Sequence, residues 1–173
     1  MVASLGMPGS IAARRLARDR DRGYRRGVLR FILNVLWLVL SGFWLAIAYI
    51  VAGLIMCITI IGIPFGIQAF KLAGYAFWPF GRALVPTGRR PALSMIGNVI
   101  WFIFAGWWLA LGHVITGVAL CLTIIGIPLG IADFKMAGAA LVPFGREIVS
   151  LPAGTYAPAG MIAVDTRPRD ERV

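Results

Sequence analysis

The sequence predicts an all-α integral membrane protein built from two parallel tandem repeats. Each repeat is a helical hairpin, broken at Gly-Ile-Pro into a long helix and a shorter one. Three observations predict it. The chain is 60% hydrophobic and only 14% charged, where a soluble domain carries about 45–50% apolar and about 25% charged residues. No Asp, Glu, Lys or Arg occurs in 31–70 or in 91–132, and a spanning helix needs only about 20 apolar residues. Finally, the stretch CITIIGIPFGIQAFK (Cys57–Lys71) returns as CLTIIGIPLGIADFK (Cys121–Lys135).

The first element is a basic N-terminal tail over 1–27. Arg14, Arg15, Arg18, Arg20, Arg22, Arg25, Arg26 and Arg30 crowd this end of the chain, and after Asp21 no carboxylate appears until Asp133. A pI near 11 also suits nucleic-acid binders. Here, however, the arginines flank an apolar segment, which is the positive-inside signature of a cytoplasmic flank, and no nucleic-acid partner is expected. Such a flank also attracts anionic headgroups, making anionic lipids at the cytoplasmic face an expected partner. The apolar segment is far longer than the core of a signal peptide, so no cleaved leader is expected. Cys57 and Cys121 stand alone in apolar runs and read as small buried hydrophobes.

A shift of 64 residues aligns Asn34–Val85 with Asn98–Val149 without a gap, and 27 of the 52 positions are identical. Shared apolar composition alone does not produce such agreement, so the chain is an internal duplication. Repeat one takes 28–85, a polar linker 86–91, repeat two 92–149 and a Pro/Ala-rich tail, read as cytoplasmic and flexible, 150–173. Basic residues flank both repeats at both ends. Each repeat is therefore expected to enter and leave on the cytoplasmic side, with both termini cytoplasmic and the repeats parallel.

Forty helical residues would reach about 60 Å, twice the roughly 30 Å hydrocarbon core, so the run must turn back. Gly42 and Gly106 with Trp44 and Trp108 offer one site, a glycine beside interfacial aromatics. Gly62 and Pro64, with Gly126 and Pro128, offer a stronger one, since glycine stops a helix and proline suits the first turn of the next. The expected arrangement is a long helix to about residue 61, then a shorter helix over 64–78, with its copy over 128–142. Whether the shorter arm crosses, re-enters or lies in the interface stays open.

Lys71 and Lys135 are the ionisable groups of most interest. Either their amines snorkel to the headgroups or they line a pathway, which would then favour anions. Asp133 replaces Ala69 of the first copy and reads as an interfacial carboxylate near a neighbouring subunit's arginine. His113 replaces Tyr49; with no Cys, Asp or Glu near it in sequence it is no metal ligand, and it reads first as packing or an interfacial hydrogen bond, with pH sensing the alternative. His113 and Asp133 thus join the two lysines as candidate pathway or lipid-contact residues. Asn34 and Asn98 suit hydrogen bonds between helices, and Gly42 and Gly106, each followed by alanine four residues on, suit close helix contact. Arg82 and Arg146 close the two repeats as interfacial cations. No nucleophile with a base, carboxylate pair or metal set converges, so neither an enzyme nor a cofactor is expected.

The motifs Asn98-Val-Ile-Trp101, Gly106-Trp-Trp108, His113-Val-Ile-Thr-Gly117, Cys121–Pro128, Gly130–Lys135 and Pro143-Phe-Gly-Arg146 resemble the YccF family. The likeness covers about residues 28–150. It implies a small bacterial inner-membrane protein carrying this domain twice, with no settled activity and no catalytic residues to transfer. The function expected first is a homo-oligomeric assembly with a channel- or transport-like role, for anions or small amphiphiles. The second is an accessory or scaffold protein that binds a membrane transporter or organises anionic lipids.

Overall fold

The computed structural model describes residues 8–87 and 91–151. The C-terminal extension and the centre of the expected linker lie outside the described residues. A helix runs from Pro8 through α1 (Pro8–Trp37), a π-helical turn (Leu38–Gly42) and α2 (Phe43–Cys57). A tight turn then leads into α3 (Ile63–Phe77), and β1 (Arg82–Pro86) follows. The second copy repeats the order: α4 (Pro91–Trp101), a π turn (Phe102–Gly106), α5 (Trp107–Cys121), α6 (Ile127–Leu141) and β2 (Arg146–Ser150). The all-α membrane class and the tandem hairpins stand. The basic tail expected over 1–27 is continuous with the first helix from Pro8 onward.

The hinge lies at the predicted glycine and proline but is longer than expected. The long helix stops at Cys57 and the next begins at Ile63, because a threonine closes the turn. The Gly62 N–H donates to Thr59 Oγ1 at 3.1 Å, and the Gly126 N–H donates to Thr123 Oγ1 at 3.1 Å. Proline then occupies the start of α3 and of α6, where no N–H is missed. The turn tips are bare isoleucine and leucine: Ile60 is 88% and Ile124 88% exposed, a composition that suits lipid rather than water.

Within each hairpin a tryptophan locks the arms together. The Trp37 indole N–H donates to Ala76 O at 2.6 Å and that of Trp101 to Ala140 O at 2.6 Å. The π turn sets each ring over the glycine five residues on. A Cβ at Gly42 would meet Ala76 O at 2.9 Å besides the Trp37 ring, so the glycine lets the two arms of the hairpin approach. Asn34 clamps the hairpin's open end: its Nδ2 donates to Phe80 O at 2.9 Å and its Oδ1 accepts the Phe80 N–H at 3.0 Å. Asn98 treats Phe144 likewise at 3.2 and 2.8 Å, in a partly exposed setting. Asn34→Ala is expected to destabilise by about 2–3 kcal/mol and Asn98→Ala by about 1 kcal/mol, because buried orphans carry the larger penalty. Unfolding of the detergent-solubilised chain measures both.

Two features depart from expectation. The first is a two-stranded sheet in which β1 pairs antiparallel with β2. Leu84 lies opposite Ile148, its own counterpart under the 64-residue shift. Flanking bonds obey the same symmetry: the Thr87 N–H donates to Gly145 O at 2.9 Å and the Leu151 N–H to Gly81 O at 2.8 Å.

The second is the direction of the hairpins. Phe65, just past the hinge of repeat one, packs on Phe144 at the open end of repeat two, ring centroids 5.3 Å apart. Gln68 Nε2 donates to Pro143 O at 3.1 Å, and Ser41, near the open end of repeat one, reaches Asp133 close to the hinge end of repeat two. The hairpins thus lie antiparallel, not parallel as the flanking charges suggested. That expectation takes repeat one, 28–85, to end on the side where it enters. In fact Gly81–Thr87 is extended chain, about 20 Å at roughly 3.3 Å per residue, which carries the backbone to the opposite end before repeat two begins.

Candidate functional site

Four polar side chains meet where the hairpins cross. Ser41, His113 and Asp133 are buried polar groups and Tyr49 is equally inaccessible. Ser41 Oγ donates to Asp133 Oδ1 and Oδ2 at 3.1 and 3.0 Å. His113 Nδ1 lies 2.8 Å from Asp133 Oδ1, and Tyr49 OH lies 3.3 Å from His113 Nε2. With the carboxylate ionised, the imidazole proton must sit on Nδ1, which leaves Nε2 to accept from the Tyr49 hydroxyl. The chain of bonds runs Ser41–Asp133–His113–Tyr49. No buried side-chain polar atom among the described residues lacks a partner.

Local structure positions each member. The π turn rotates Ser41 inward beside Gly42, and both are buried. Gly117 gives α6 room to approach α5, since a Cβ there would meet Asp133 Cβ at 3.1 Å and Gly130 O at 3.2 Å. Tyr49 and His113 are equivalent positions of the two copies, meeting with ring centroids 5.9 Å apart. Repeat one supplies Ser41 and Tyr49, repeat two His113 and Asp133, so the network exists only when the repeats are docked.

Two expectations are corrected. His113 does have a carboxylate neighbour, brought across the hairpin from twenty residues away. Asp133 is not interfacial: it is buried against α5 and the first π turn. Sequence reasoning passed over Ser41 and Tyr49. The signal was available, because every member falls where the copies differ: Ser41 against Ala105, Tyr49 against His113, Ala69 against Asp133.

The order of groups limits the chemistry. Ser41 faces the carboxylate and not the imidazole, so the serine–histidine–aspartate order of a nucleophilic triad is not formed. Among the described residues no three of His, Cys, Asp and Glu converge to hold a metal. What the arrangement offers is a continuous hydrogen-bonded path from the Ser41 hydroxyl through carboxylate and imidazole to the Tyr49 phenol.

The other predicted positions lie elsewhere. Lys71 and Lys135 are exposed, as is Trp44 at 65%. Trp44 and Trp108 sit well inside the long helices rather than at their ends. Arg82 donates to Gly74 O at 3.0 Å. It faces, with Arg146 and Lys71, a groove beside the strand pair.

The chain matches the family model YccF, an inner membrane component domain, over residues 32–82 and again over 96–146. The chain belongs to the YccF family. Both YccF matches fall within the repeats, and together they span more than half the sequence. The inner membrane protein YccF of Escherichia coli (strain K12) is 38% identical over 132 residues, covering 71% of this chain and 89% of that protein. Its namesake from Shigella flexneri shows the same figures. No solved structure matches. Helices Ala17–Cys57 and Pro91–Cys121 are long and apolar enough to cross a membrane, and with the YccF relatives they support an inner-membrane location.

Proposed function

We propose that the chain is a multi-pass inner-membrane protein of transport-like function, not an enzyme, with the Ser41–Asp133–His113–Tyr49 network as its proton-responsive centre. The observation that carries this reading is the burial of an Asp–His pair at the seam of two oppositely directed repeats. Ionisable groups inside a membrane are expensive and tend to mark ion or proton pathways. Inverted repeats place coupling sites at such seams. Protonation that loosens the pair would loosen the seam between the hairpins, which is how a proton biases one repeat against the other.

Two contacts support a topology with both described ends on one side. Leu151 bonds to Gly81, and Gly81 lies beside Arg30. The described C-terminal end therefore returns to the end where the arginine-rich helix enters, and the positive-inside rule supports a cytoplasmic position for that end. The eight arginines of the first helix outnumber the two of the linker sequence, Arg89 and Arg90. Two hairpins enclose little space, so a conducting path for anions or small amphiphiles requires a homo-oligomer.

The test is flux in proteoliposomes under an imposed pH gradient, read with internal pH and anion dyes. Wild-type flux that falls at least tenfold in Asp133→Asn and in His113→Gln, with helical content retained, supports the proposal. Equal flux in wild type and variants overturns it. No flux in any form, with stable copurification of another membrane protein, favours the accessory role instead.

A further inference from the structure

A second cluster of charges lies outside this network, in a groove between α3 and the strand pair. It has a volume of about 460 Å³, and its lining includes Gln68, Lys71, Gly74, Arg82, Arg146 and Glu147. Three cations face it against one carboxylate. Among the described residues no carboxylate, Glu147 included, forms an ion pair with Lys71, Arg82 or Arg146. Repulsion among three unpaired cations is tolerated where an anion spends time between them.

The strand register orders the charges. Arg82 pairs with Ser150 and Arg146 with Pro86, which sets the arginines four residues apart along the sheet, about 13 Å at roughly 3.3 Å per residue. Arg82 holds Gly74 O, and Gln68 holds Pro143 O three residues before Arg146. Lys71 lies midway between Gln68 and Gly74 on α3, hence between the two arginines. The result is a row: guanidinium, ammonium, guanidinium.

We infer that this groove binds phosphate-bearing anions, either the headgroup of an anionic phospholipid or a free diphosphate. Guanidinium forks pair with phosphate oxygens through two parallel bonds, and the lysine adds a point charge. A row this long fits linked phosphates or a phosphodiester headgroup better than a single halide ion. The open face at Gly74, where a Cβ would meet nothing within 4 Å, leaves the lysine accessible. The groove shares no residue with the buried network, so either proposal can fail alone.

The experiment uses the full chain in an uncharged detergent at fixed ionic strength. Pyrophosphate is titrated with tryptophan fluorescence as the readout, and native mass spectrometry counts retained phosphatidylglycerol. The single variant Lys71→Gln at an exposed position, and the triple variant with Arg82→Gln and Arg146→Gln, are compared with Arg25→Gln as a control for total charge. Loss of at least tenfold in affinity for either ligand in the triple variant, a smaller loss in Lys71→Gln and none in Arg25→Gln support the inference. Binding of both ligands by folded Lys71→Gln at wild-type strength overturns it, as does absence of binding in the wild type. Lipid retention that pyrophosphate does not displace identifies the headgroup; pyrophosphate binding without retained lipid identifies the free anion.

Discussion

Asp133→Ala is expected to destabilise the protein by about 3–5 kcal/mol, the usual penalty for breaking one side of a buried charged pair. The substitution leaves the imidazole of His113 and the hydroxyl of Ser41 without their shared acceptor in a site closed to water. The informative comparison is Asp133→Ala combined with His113→Tyr, which gives repeat two the residues that repeat one has at Ala69 and Tyr49. Removing both partners of a buried bond is far milder than removing one, so the double variant should recover most of the loss. Thermal or denaturant unfolding in detergent measures both. A single variant within about 1 kcal/mol of wild type would show that the network does not hold the repeats together.

The second large effect belongs to the hinge glycines. A Cβ on Gly62 would strike the Met56 carbonyl oxygen, and one on Gly126 the Leu120 carbonyl oxygen. Both obstacles are backbone at the end of a helix, which cannot rotate aside as a side chain can. Gly62→Ala and Gly126→Ala are each expected to destabilise by about 2–3 kcal/mol, the upper part of the range for forced overpacking, and to lower folded yield. Gly138→Ala is the matched control, since its Cβ would meet nothing within 4 Å and alanine favours a helix by about 1 kcal/mol. If all three behave alike, the steric account of the turn fails.

Membrane class, duplication and hinge were legible because each is a local property of the chain. Hydropathy is summed over neighbours, a repeat is a shift, and Gly-Ile-Pro breaks a helix wherever it stands. The strands were not legible. Five residues such as Arg82–Pro86 carry too little alternation to be told from a loop, and only pairing with a partner 64 positions away defines them. The direction of the second hairpin was misjudged for the same reason, since those few extended residues reverse it. The buried network joins residues 20, 64 and 92 positions apart, beyond any helical period. Substitutions between the copies were the usable trace. Inside an apolar duplicate, a polar residue facing alanine in the other copy has a partner to satisfy.

The pairing of Leu84 with its counterpart Ile148 has an evolutionary consequence. Contacts in which a position meets its own equivalent are those of a two-fold dimer with identical faces. A lone hairpin-and-strand unit already holds both halves of that contact, so two unfused copies could assemble this architecture, provided half of them entered the bilayer upside down. Fusion fixes one copy in each orientation. It also frees the two copies to diverge, and histidine and aspartate could then arise in one half only, something no pair of identical chains can encode.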